Sequence, residues 1–104
     1  MTAERIGAIL SAVNHTEVVS KLVRHGLTAD EIERFLVEVF PDVIAFDREQ
    51  ANLAAKLHAE NKQHKLSYAD CSCLALAMVQ GVPVLTGDRK WTAIRLDVEV
   101  RLFR

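Results

Sequence analysis

The sequence predicts an α/β protein: a doubly wound parallel sheet with helices on both faces. Three observations predict it. Short apolar runs, IGAILSAV, VIAF, VPVLT and VEVRLF, are spaced along the whole chain. Between them, apolar residues recur at helical spacing. Capping residues, glycines and prolines fall where one pattern changes to the other. Strands alternating with helices in this way make a parallel sheet.

Each element has its own reason. Residues 6–13 are an unbroken apolar run and read as a buried strand. Asn14 opens a helix to about His25, and Gly26 closes it. Thr28 caps the next helix, with Glu31 three residues on as its box partner. Ile32, Phe35, Leu36, Val39 and Phe40 make one helical face there, and Pro41 stops it. Residues 43–46 are a short strand. Asp47 caps an Ala-rich helix to about His64. Ser67 starts another helix, YADCSCLALAMVQ, ended by Gly81. Residues 82–86 form a strand with Pro83 at its start, where proline is tolerated. GDRKW turns into a short helix, and residues 98–103 close as an edge strand.

The totals set bounds. A chain of 104 residues is one domain, 1–104, with one small core. Half the residues are hydrophobic and 26% are charged, which excludes a disordered chain. The net charge of −1 excludes a protein held on nucleic acid by bulk charge. Any RNA contact must come from local patches. No apolar run approaches the roughly 20 residues of a membrane span, and the N-terminus has no signal pattern. The expected location is the cytoplasm. Cys71 and Cys73 sit two apart on a helix, so they face different sides and read as small reduced helix residues.

Three acids stand out. Glu17 falls in the first turn of the helix after the first strand, at the sheet's carboxyl edge. Asp88 lies just past strand 82–86, at the same edge. The helix bearing Asp70 joins that strand through Gly81 alone, so it runs antiparallel to it. Helix and strand are each roughly 20 Å long, which brings the helix start near the strand end. Open α/β sheets bind ligands at that edge. Clustered carboxylates repel unless a cation joins them, and an oxygen-only cluster suits Mg²⁺ or Mn²⁺. Each acid also has a plainer use. Asn14 with Glu17, and Ser67 with Asp70, read as capping boxes, and Asp88 after Gly87 reads as a turn.

Two stretches resemble a known family. SAVNHTEVVSKL is similar to the second strand and following helix of PIN domains, with Glu17 as its acid. LSYADCSCLALAMVQGVPVLTGDRKW resembles the family's C-terminal half through Asp70, Thr86, Asp88 and Trp91. The final VEVRLF matches the closing strand. The resemblance, to PIN-domain nucleases typified by VapC-type toxins, implies a metal-dependent endoribonuclease. Glu17, Asp70 and Asp88 would hold Mg²⁺ or Mn²⁺ and carry the catalysis. Thr86 would line the site, and Arg89 and Lys90 would contact substrate phosphate. The implied partners are RNA, a small antitoxin and a second copy of the chain. PIN domains open with a strand ending in Asp, and no aspartate precedes Asp30 here. The expectation is therefore an N-terminally truncated, incomplete PIN-like domain.

The remaining residues carry less. His15, His25, His58 and His64 show no zinc grouping. His15 reads as a solvated helix residue, and Lys21, Arg24 and His25 share one helix surface. Trp91 reads as packing under the short helix. Two rival readings stand beside the nuclease. One is an inactive PIN-like module that binds an antitoxin or a partner chain. The other is a receiver-like signalling domain with Asp47 as phosphate acceptor, although the acid pair such a domain needs near its first strand is absent.

Overall fold

The computed structural model describes residues 9–39, 42–86, 88–94 and 98–102. The chain divides into two compact units, Met1–Ala45 and Phe46–Arg104.

In the first unit, strand β1 is Leu10–Ser11 and helix α1 is Ala12–Arg24. This corrects the strand expected over 6–13. An unbroken apolar run does not distinguish a strand from a buried helix end. Ser11 decides the matter: its hydroxyl accepts the Val13 N–H at 3.3 Å, so it caps α1 three residues before Asn14. Residues 6–8 lie outside the described residues. Helix α2, Ala29–Val39, begins as expected. Thr28 N–H donates to Glu31 Oε1 at 2.8 Å, and Glu31 N–H donates back to Thr28 Oγ1 at 3.2 Å. Its buried face is narrower than its sequence pattern, because Ile32 and Leu36 are buried while Phe35 is 45% exposed. Phe40 and Pro41 lie outside the described residues. Strand β2, Val43–Ile44, pairs in parallel with β1, Leu10 opposite Val43.

In the second unit, helix α3 is Arg48–Glu60, capped by Asp47, whose Oδ1 accepts the Gln50 N–H at 2.9 Å. It ends before the expected His64. Asn61 donates its side-chain amide to the Leu57 carbonyl at 2.9 Å, and a 3₁₀ turn follows at Lys62–His64. Helix α4 is Tyr68–Gln80, closed by Gly81 at φ 66°, a left-handed position that favours glycine. Strand β3, Val84–Thr86, pairs in parallel with β4, Val100–Leu102. A 3₁₀ turn at Arg89–Ala93 takes the place of the expected short helix.

The core of this unit gathers Ala54 and Leu57 of α3, Leu66, and Cys71, Leu74, Ala75 and Ala77 of α4. Val84, Trp91 and Ile94 complete it. Helix α4 is buried on most sides, as its Ala- and Leu-rich sequence requires. The alternation of helices with parallel strands is the α/β arrangement expected. The described strands pair two by two, β1 with β2 and β3 with β4.

Candidate functional site

The acids sit on different local scaffolds. Asp70 is the third residue of α4. Ser67 Oγ accepts the Asp70 N–H at 3.0 Å, and Asp70 Oδ2 accepts the Ser67 N–H at 2.9 Å. The expected capping box is therefore present, and it engages one oxygen of the carboxylate. The half-buried carboxylate lies at a helix N-terminus, where the aligned peptide dipoles favour negative charge. Its charge reaches the next residue. Burial, and then the neighbouring Asp70 charge, push the Cys71 thiol above its usual range.

Asp88 follows β3. Thr86 is buried, 7% exposed, and its hydroxyl accepts the Asp88 N–H at 3.1 Å. The Asp88 carbonyl accepts the Trp91 N–H at 3.2 Å, starting the 3₁₀ turn. A serine/threonine turn thus fixes the backbone of Asp88 to the end of the strand. Trp91 is buried in the core, as its packing role requires. Asp70 adjoins Cys71, and Asp88 is bonded to Trp91. Cys71 and Trp91 both belong to the buried cluster of this unit.

Glu17 belongs to the first unit and lies in the second turn of α1, since the helix starts at Ala12. The first turn of α1 holds no acid, which corrects the expected position. The expected Asn14 box is replaced by a side-chain bond, Asn14 Nδ2 to Glu17 Oε1 at 3.2 Å. This bond orients an exposed carboxylate without capping the helix. His15 is half-buried where a solvated residue was expected, and its Nδ1 is shielded with no hydrogen bond among the described residues. Lys21 and Arg24 stand exposed in the last turn of α1, where cations favour the helix dipole. Arg89 is exposed beside Asp88, and the Lys90 side chain lies outside the described residues.

Within neither unit do three His, Cys, Asp or Glu side chains come together as a metal cage among the described residues. Mg²⁺ is usually held by one or two carboxylates, with waters and substrate phosphate completing its shell. Asp70 and Asp88 carry hard oxygen donors, but no group of three such side chains gathers them into a metal site among the described residues.

One pairing escaped the sequence. The His58 and Tyr68 rings stack at 4.1 Å between centroids, with 20° between planes. They are ten residues apart across a turn, and no local periodicity announces them.

Parallel strands alternating with helices, with acids at a helix start and just past a strand end, are consistent with an α/β protein. The sequence profile of the PIN domain family matches residues 2–96, and the chain belongs to that family. It is a nuclease-type family whose members generally depend on a divalent metal. No curated protein and no solved structure matches the chain. No helix among the described residues is long and apolar enough to cross a membrane.

Proposed function

We propose that this chain is an endoribonuclease of the VapC toxin type that hydrolyses RNA phosphodiesters with Mg²⁺ or Mn²⁺. The observation that carries the reading is the pair Asp70 and Asp88. In a chain of a nuclease-type family, each acid has its backbone N–H held by a nearby hydroxyl, Asp70 at a helix start and Asp88 just past a strand end. Asp70 and Asp88 would hold the ion, and the family resemblance assigns Glu17 a ligand's role as well. When bound, a divalent ion supplies a water-derived nucleophile and offsets the charge of the phosphodiester under attack.

The chain's own residues do the rest. Thr86 holds Asp88 in place through the Asp88 N–H. Arg89, exposed beside Asp88, contacts the substrate phosphate, and Lys90 is assigned the same role. The net charge of −1 leaves RNA affinity to such local contacts. The proposal extends to a cytoplasmic setting, a second copy of the chain and a small antitoxin. A monomer in sedimentation, unchanged by addition of a candidate antitoxin, would remove that extension.

The test is cleavage of a structured RNA by the purified chain with Mn²⁺, with chelator, and with Asp88→Asn. Cleavage is expected only with metal, and the substitution should reduce it by about 10²–10³-fold. Cleavage that survives chelation, or is unchanged in Asp88→Asn, sinks the reading. So does the absence of cleavage from a folded, monodisperse sample.

A further inference from the structure

We propose that Tyr68 is a platform on which an unpaired base of the RNA stacks, held ready by His58. The proposal rests on the ribonuclease reading and adds to it a residue that selects single-stranded substrate.

Tyr68 is the first residue of α4, and it is 68% exposed. Among the exposed large hydrophobic residues described, none is more open to solvent. An aromatic ring in water forgoes most of the stabilisation its apolar area would gain by burial. Its neighbours in the sequence show what the helix start itself needs. Ser67 caps, Asp70 closes the box, and Cys71 and Leu74 enter the core. None of these tasks uses the Tyr68 ring.

The ring nevertheless has a partner. His58, in the last turn of α3, covers one face in a near-parallel stack at 4.1 Å. With His58 stacked on it, the residue is still 68% exposed. A planar surface fixed on one side and open on the other is what a base needs for stacking. Such stacking tolerates any base, because every base has a π-face.

Position gives the platform its purpose. Tyr68 and Asp70 are two residues apart at one helix end, with Cα atoms roughly 5 Å apart by helix geometry. At about 100° per residue their side chains leave different sides of that end. A nucleotide likewise separates its phosphate from its base. RNA with a phosphate at Asp70 therefore has a base within reach of Tyr68. Bases inside a duplex are stacked on each other and cannot take this position, so the platform favours loops and single strands.

The competing account is a strut, in which the His58–Tyr68 stack only joins α3 to α4. The two accounts separate in binding. The full chain carrying Asp88→Asn is titrated into a labelled single-stranded oligoribonucleotide, and into a strand of the same length made of abasic sites. Tyr68→Ala should weaken binding to the normal strand about five- to hundredfold, as loss of one stacking aromatic does. Tyr68→Phe should stay within about twofold of the parent, because the π-face is kept. The abasic strand should bind the parent and the Tyr68→Ala chain alike. Thermal melts of each variant show whether it remains folded.

In parallel, cleavage by the chain without Asp88→Asn should show a raised KM and a nearly constant kcat in Tyr68→Ala. Equal binding of the normal strand by parent and Tyr68→Ala overturns the platform, and so does a parent that binds no single strand. Stacking-dependent binding by a chain that cuts no RNA keeps the platform and removes the nuclease reading instead.

Discussion

Thr86 and Asp88 show how much one hydroxyl can settle. The Thr86 side chain is buried at a strand end and accepts the N–H of the acid two residues on. Replacing it with valine keeps shape and removes the acceptor, which leaves the Asp88 N–H without its partner. The expected cost is about 1–2 kcal/mol in urea denaturation, with cleavage reduced further because Asp88 loses its anchor. Serine at the same position should restore both. A valine variant as stable and as active as the parent would show that the turn holds without the hydroxyl. The Thr-x-Asp spacing was legible in the sequence through the family resemblance, but the hydrogen bond was not. A threonine at a strand end has several rotamers and several available donors, and only the folded turn chooses among them. Asp70 was legible in two ways, as a box residue and as an acid. The box is formed, and it leaves the second carboxylate oxygen outside that exchange.

At the scale of elements, short-range chemistry accounts for most of what the sequence could tell. The boxes at Thr28–Glu31 and Ser67–Asp70, the Asp47 cap and the Gly81 ending each depend on residues within a turn or so of one another. A pH dependence follows from the first of these. The Thr28 backbone N–H, and then its hydroxyl, hold the Glu31 carboxyl below its usual value. A group so depressed adds stability above its unfolded pKa, and that stability is lost as pH falls through the lower folded value. Acid titration of stability should therefore show this loss on its descending limb, and Glu31→Gln should flatten that limb. Because Glu31 is fully exposed, salt should weaken the effect. An unaltered acid limb in Glu31→Gln would place the dependence elsewhere. The element misread from sequence, the strand at 6–13, failed for the opposite reason. An apolar run has no period of its own, and Ser11 rather than Asn14 received the cap role once the backbone around it turned.

Across the whole molecule, the better-defined core is that of the second unit. Leu74 is fully buried at its centre, among residues of α3, α4 and β3 and beside Trp91. Leu74→Ala should cost about 2–5 kcal/mol, measured by urea unfolding followed through Trp91 fluorescence. A loss below about 1 kcal/mol would mean that the neighbours collapse into the space. The sequence by itself determined the α/β class, the order of helices and parallel strands, and most caps. These rest on periodicity and on contacts between near neighbours, which a single chain spells out. Only the tertiary structure decided that β1 is two residues long, that Phe35 faces water and that the Thr86 hydroxyl serves Asp88. It alone also laid the Tyr68 ring on His58. Each of these depends on which surfaces meet in space, and that choice is made by burial and by competition among partners rather than by local spacing.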